Sequence, residues 1–321
     1  MSDLHAIKQT EKVMSNESLP PKVNVIIPAY NMKDYLKETV DSVLRQDYPN
    51  LEIIVADDCS TDGTQEMMKQ YDENPKVKYI RNEVNLGSRM NGQKLLHEHA
   101  DSKYILGINH DDYLTQNNYI SKAVTLFEEN PNVSLVFANL YFLDVDSGHL
   151  SPITKDIPMI TKGIDYFLNY ETGRYPHITS VLTSMYKRED AIRMGCFLER
   201  SECQDLFLYF KLMLIGDIGF IPDHVGVYRF HKKSLTFNIP TENDYGTIKD
   251  LEELYAYALE IGLDKNKLEE WLMIRIYKFV HWRFEIMWFN NQKSSALQLL
   301  TSISESYPVA FNWITNHLYW K

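Results

Sequence analysis

Cysteine is scarce: Cys59, Cys196 and Cys203 are the only three in 321 residues. They show no metal-ligand spacing, which argues against a disulfide framework and fits a reducing compartment. No uninterrupted apolar run reaches the ~18 residues that a bilayer-spanning helix needs. The first 20 residues are polar, without an apolar h-region, so no secretory signal is expected. They read as an extension that ends at Pro20-Pro21. Cytoplasmic location follows as an expectation, with the inner face of a membrane as a further place for the chain. Positive charge is also short, 33 Lys and Arg against 44 Asp and Glu, for a formal net charge of -11. That argues against a nucleic-acid partner. A polyanionic ligand such as a nucleotide diphosphate would need local positive charge, from a metal ion or a few Lys and Arg. There is no internal repeat and no low-complexity tract.

What remains is material for a sizeable core, 44% apolar and 12% aromatic residues, enough for one large domain or two ordinary ones. Short apolar runs at 23–27, 51–56, 77–81 and 104–108 predict strands. Between them, 34–46, 63–71 and 91–99 predict helices. Strands alternating with helices predict a parallel, doubly wound sheet, whose ligands bind beyond the carboxyl ends of the strands. Two acidic pairs stand at such ends, Asp57-Asp58 and Asp111-Asp112, and can hold a divalent cation and a nucleotide sugar. After residue 113 the pattern changes. A long strand is expected at 133–143, a loop-rich stretch at 147–176 and a strand at 177–186. A helix at 205–215, an extended segment at 218–229 and mostly helix over 248–306 follow.

Each motif has a structural reading of its own. Pro28 stops a strand, and Asn31 or Asp34 can cap the next helix. Asp57-Asp58-Cys59-Ser60-Thr61-Asp62-Gly63 has turn and cap chemistry. Asn109-His110-Asp111-Asp112 can be a solvated turn, and Asp205 can favour a helix N-terminus through the dipole.

The order of motifs resembles the family 2 glycosyltransferases of the GT-A fold. The matching residues are Val25-Ile26-Ile27-Pro28-Ala29-Tyr30-Asn31, then Asp57 to Thr64, Asn85-Leu86-Gly87 and the 109–112 segment. The likeness covers about residues 22 to 236 and implies a Rossmann-like mixed α/β sheet with a C-terminal helical extension. It implies three parts: an N-terminal extension (1–21), a catalytic domain (22–240, nucleotide-binding over 22–115 and acceptor-binding over 116–240) and a helical region (241–321). It further implies inverting transfer of a sugar from a nucleotide diphosphate, a UDP-sugar above all, to a hydroxyl of a glycan or lipid-linked acceptor. Polysaccharide, glycolipid or lipopolysaccharide assembly is the implied setting.

The resemblance also assigns roles. Pro28 and Tyr30 would line the nucleotide pocket, with Tyr30 against the base. Asp58 would contact the base or ribose, and Asp57 would shape the loop beside it. The 109–112 segment corresponds to the family's Asp-x-Asp signature, with Asn109 in place of the first Asp; an amide can still bond a ribose hydroxyl, but it brings no charge. Asn109 and His110 would then sit by the nucleotide, and Asp111 would hold Mn2+ or Mg2+, with Asp112 a further candidate. Gln204-Asp205, with Gly216 eleven residues on, fits the family's general base. A competing register would give that role to Glu202. His231, in Tyr228-Arg229-Phe230-His231-Lys232-Lys233, would reach the metal or the diphosphate, and the two lysines could neutralise phosphate. Arg89 would meet the diphosphate.

Residues 271–289 carry Trp271, Trp282 and Trp288 with Arg275, Lys278 and Arg283. Such a helix can lie on an anionic bilayer, pack on the catalytic domain or meet a second subunit in a homodimer. Two rivals remain. A nucleotidyltransferase would need a Gly-rich basic loop after the first strand, and Pro28-Ala29-Tyr30-Asn31 is not one. A nucleotide-sugar-binding module without turnover is compatible with Asn109 and Gln204.

Overall fold

The computed structural model describes residues 19–231 and 243–317. The chain runs β1 (Val23–Ala29), α1 (Lys33–Leu44), β2 (Leu51–Asp57), α2 (Thr64–Met68), β3 (Val77–Arg81), α3 (Ser88–Lys94) and β4 (Tyr104–Gly107). It continues through β5 (Tyr113–Leu114), α4 (Tyr119–Glu129), β6 (Val133–Asp144), β7 (His149–Ile153), β8 (Ile160–Thr161) and α5 (Gly163–Leu168). Then come β9 (Met185–Lys187), α6 (Arg188–Arg193), α7 (Gln204–Met213) and β10 (Asp217–Phe230). The helical region comprises α8 (Asp244–Glu260), α9 (Lys265–Phe289), α10 (Lys293–Ser302) and α11 (Pro308–His317).

One mixed sheet carries the fold, in the order β3-β2-β1-β4-β9-β6-β10-β5. β3, β2, β1 and β4 are parallel, as the alternation of elements predicts. β9 then pairs antiparallel with both β4 and β6, so the sheet is mixed. Central strands are buried on both faces, which is why they read as continuous apolar runs. Ile26 and Ile54 point into one core; Val25, Ile27, Ile53 and Val55 point into the other. α1 covers the second face with Leu36, Val40 and Val43, one helical stripe.

The remaining expectations divide. Residues 177–184 do not form a strand. The Ser180 side chain accepts the Leu182 N–H and opens a 3-10 turn over Val181–Thr183, and only Met185–Lys187 joins the sheet. The stretch 147–176 is more ordered than expected, since it holds β7, β8 and α5. Among the described residues no helix is long and apolar enough to cross a membrane. Cys59, Cys196 and Cys203 are all free. The expected extension lies almost wholly outside the described residues, but Pro20 and Pro21 are tied down: their carbonyls accept from Asn50 and the Tyr48 hydroxyl.

The C-terminal helices share a core with one face of the sheet. Trp271 is buried and stacks on Phe167 with ring centroids 4.4 Å apart, and its ring meets Phe210 edge-on at 5.4 Å. Of the three readings offered for this helix, these contacts match packing on the rest of the fold. Arg275 is buried and bonds Glu171 at 2.9 Å and the Tyr170 carbonyl at 2.6 Å. Arg283 is buried and bonds Asp244 at 2.6 and 3.0 Å. Neither guanidinium can reach a lipid headgroup while it is held inside.

Candidate active site

Strand register builds the acidic turn. β4 ends at Gly107, and the Asp112 N–H returns to the Asn109 carbonyl at 3.1 Å, closing the turn. β5 follows at once and pairs antiparallel with β10, Tyr113 facing Val227 and Leu114 facing Gly226. The strands approach so closely that a Cβ on Gly226 would lie 2.8 Å from the Tyr113 carbonyl oxygen. This register sets Asp111 and Asp112 against the far end of β10. There the Asp111 carboxylate and His231 Nε2 stand 3.0 Å apart, joining positions 120 residues distant in sequence. An oxygen and an imidazole nitrogen at one point suit a hard-to-borderline divalent cation. Among the described residues no third His, Cys, Asp or Glu completes a metal cluster, so the other positions would fall to ligand oxygens and water.

Asp112, the further candidate for the ion, is turned inward. It is 0% exposed and accepts the Arg229 N–H at 2.9 Å; its second oxygen has no partner among the described residues. Burial, with the charge of Asp111 beside it, holds its carboxyl well above the usual carboxylate range. Arg229 was quoted above only as motif context, yet it organises this corner. It donates to the Asp111 carbonyl at 2.7 Å and pairs with Glu38. Its guanidinium lies over Tyr35 and Tyr113, at 4.8 and 4.4 Å from the ring centroids. Tyr35 also stacks on His231. The buried Thr39 hydroxyl lies 2.9 Å from the His110 carbonyl and 2.7 Å from that of Asp112, so α1 fixes the turn from below. An Arg two residues before His231 was the available signal for this group.

The first acidic pair is turned inward. Asp57 is 0% exposed; its oxygens accept from the Ser60 N–H, the Tyr79 hydroxyl and Arg81. Those bonds tie Asp57 to the loop that follows β2. Asp58 is 3% exposed and accepts from the Leu86 and Gly87 N–H groups at 2.8 Å and from Asn82 at 3.0 Å. A carboxylate offers about four acceptor positions, so one stays open to a ligand. Cys59 has φ of 64°, the left-handed region, which explains why glycine suits that position. The N–H of Lys33 is capped by Asp62 at 2.9 Å, not by Asn31 or Asp34; Asn31 instead accepts from Thr61 at 2.8 Å. Tyr30 is 44% exposed at the strand exit, and His110 Nδ1 donates to the Pro28 carbonyl at 3.0 Å. Pro28, Tyr30, Asn109, His110 and Asp111 thus share one edge of the sheet.

Asp205 opens α7. It keeps some exposure, and among the described residues its carboxylate accepts from the N–H of its neighbour Leu206, at 2.9 Å. Burial pushes its carboxyl up, and nearby His177 partly offsets the shift. A carboxylate that favours its proton is a competent base. Gly216 closes this helix against β6, where a Cβ would lie 2.6 Å from that of Ser134. Glu202 is engaged elsewhere, by Ser88 at 3.1 Å and Asn243 at 2.9 Å. Arg89 joins that latch, 4.0 Å from Glu202, and borders a cavity of about 430 Å³ with Leu198, Arg200, Tyr245 and Lys249. The structure gives it no bond to the Asp111 corner. Lys232 and Lys233 lie outside the described residues.

Comparison with known proteins matches this architecture. The family model for glycosyl transferase family 2 fits residues 24–194. The Bacillus subtilis protein TuaG, named as a teichuronic acid biosynthesis glycosyltransferase, is 41% identical over 224 residues, 68% of this chain and 82% of that one. Staphylococcus aureus TarS, a poly(ribitol-phosphate) β-N-acetylglucosaminyltransferase, is 30% identical over 36% of this chain; the match spans 20% of its own length. A crystal structure of TarS residues 1–349 with UDP-GlcNAc superposes with a TM-score of 0.68 at 17% identity, covering 91% of this chain and 83% of that one. The mannosyltransferase PcManGT of Pyrobaculum calidifontis, with GDP-Man and Mn2+, gives 0.54 at 18% identity, over 98% and 85% of the two chains. At these identities the structural likenesses speak for the fold.

Proposed function

Since the chain belongs to glycosyl transferase family 2, we propose that it transfers a sugar, with inversion, from a UDP-sugar to a hydroxyl of a glycan or lipid-linked acceptor. The observation that carries this reading is the meeting of Asp111 and His231 at 3.0 Å, at the strand ends where the GT-A fold holds its nucleotide. TuaG and TarS, both named as glycosyltransferases, and the TarS complex with UDP-GlcNAc support the donor class.

In this reading Tyr30 and the open acceptor position of Asp58 hold the nucleoside. Asp111 and His231 would hold Mn2+ or Mg2+, which when bound offsets charge on the departing diphosphate. Asp205 accepts the proton of the acceptor hydroxyl. The acceptor oxygen forms its bond to the anomeric carbon as the bond to the diphosphate breaks, and the leaving UDP keeps that electron pair. The transferred group is a hexose or N-acetylhexosamine.

The test is UDP release from a labelled UDP-sugar, with and without Mn2+, in the parent and in Asp205→Asn. Loss of a general base typically costs about 10²- to 10⁴-fold. Release should fall by that amount while UDP binding persists. Unchanged release removes Asp205 from the role, and a parent that binds UDP-sugar but never releases UDP is a binding module.

A further inference from the structure

Resting on that reading, the wall around Asp205 speaks to the acceptor. Beyond β7 the chain continues through Thr154 and Lys155. Asn139 of β6 clamps the Lys155 backbone from both sides, accepting its N–H at 2.7 Å and donating to its carbonyl at 3.3 Å. The same amide donates to the Pro222 carbonyl at 2.9 Å, so β10 also fixes the position. Lys155 is half-buried, and its ammonium donates to the Thr179 hydroxyl at 2.6 Å.

No carboxylate among the described residues forms an ion pair with this ammonium. Burial alone pushes it down to about 8. Neighbouring cations are placed differently: Arg275 and Lys278 both pair with Glu171. A half-buried cation facing only a hydroxyl is poorly compensated. A ligand anion would compensate it.

The site of that anion is close to the chemistry. Thr179 lies two residues from His177, whose ring meets Tyr170 at 5.8 Å between centroids, and Tyr170 meets Phe210, on the helix that Asp205 opens, at 5.1 Å. The Tyr170 hydroxyl bonds His177 Nδ1 at 3.0 Å, and Tyr170 also feels the charge of Asp205. The Asp111–His231 pair, which would serve the donor diphosphate, stands at the ends of other strands. We propose that Lys155, held by Thr179, binds a carboxylate or phosphate group of the acceptor beside the hydroxyl that Asp205 deprotonates, so that the acceptor is an acidic glycan.

The experiment uses the UDP-sugar that the parent hydrolyses fastest and three acceptors matched in shape: p-nitrophenyl β-glucoside, the corresponding glucuronide and the corresponding 6-phosphate. Parent, Lys155→Met and Lys155→Arg are compared in kcat/KM, with UDP affinity measured alongside. A charge-assisted hydrogen bond predicts that the parent prefers one acidic acceptor over the neutral one by roughly 10- to 100-fold. In Lys155→Met that ratio collapses, mainly through KM, and in Lys155→Arg part of it survives. The better of the two acids identifies the anion. A parent indifferent to acceptor charge overturns the proposal. So does a Met variant that loses acidic and neutral acceptors equally, the mark of a structural role. Loss of UDP affinity, or a changed preference between UDP-glucose and UDP-glucuronate, would move Lys155 to the donor and overturn it too. A parent that binds UDP but turns over no UDP-sugar instead sinks the transferase reading beneath.

Discussion

At the scale of single residues, two demands on Asp205 as a base pull in opposite directions. It must be ionised to take a proton, and its burial makes it hold one more tightly than usual. The kcat/KM profile should therefore fall on the acid side with a midpoint above the ordinary aspartate value of ~3.9; a midpoint at or below that value contradicts the assignment. The same shift has a sign for stability. A carboxyl whose pKa is raised on folding contributes most below its unfolded pKa, and that contribution is lost as pH rises through the folded one. Asp205→Asn should then melt no lower than the parent at pH 7, which also separates lost catalysis from lost folding. Asp111 and His231 make a paired prediction. Mn2+ should raise the melting temperature of the parent with UDP present, and either Asp111→Asn or His231→Ala should weaken apparent metal affinity by about tenfold or more, ~1.4 kcal/mol. Equal Mn2+ responses in parent and variants would remove the pair from the ion site.

At the scale of elements, α9 shows what was legible and what was not. Its 3.6-residue stripe was readable: Leu268, Trp271, Ile276, Phe279, Val280, Phe284 and Met287 are all buried. Arg275 and Arg283 fall on that same stripe, four residues before Phe279 and four after it. A guanidinium on an apolar stripe implies a partner inside. The partners, Glu171 and Asp244, lie 104 and 39 residues away, and no local pattern announces them. Breaking a buried pair leaves one charge stranded, so Arg283→Met should destabilise the chain by about 3–5 kcal/mol in denaturant melts. Adding Asp244→Leu should recover much of it; no recovery would mean that packing, not charge, sets the cost. The segment 177–184 misled for a different reason. Its β-branched residues have strand chemistry, but the Ser180 cap takes the local backbone into a turn.

At the scale of the whole molecule, the parallel half of the sheet and its ligand edge were visible because buried parallel strands announce themselves by period and length. The antiparallel half was less so. β9 is three residues long and β5 two, and their pairings with β4 and β10 join positions 79 to 114 residues apart. That register, invisible in any window of sequence, places His231 against Asp111. The site is thus a property of the closed sheet. If the folded sheet carries the donor pocket, a true UDP-sugar at 100 times its dissociation constant should stabilise the chain by about 2.7 kcal/mol. A donor panel read by thermal shift would identify it, and a flat panel with Mn2+ present would count against a donor site. The most direct measurement is anomalous diffraction from a crystal grown with Mn2+ and UDP. One manganese bonded to both Asp111 Oδ2 and His231 Nε2 is the predicted result. UDP bound with no manganese there, and those two side chains still bonded to each other, would contradict it.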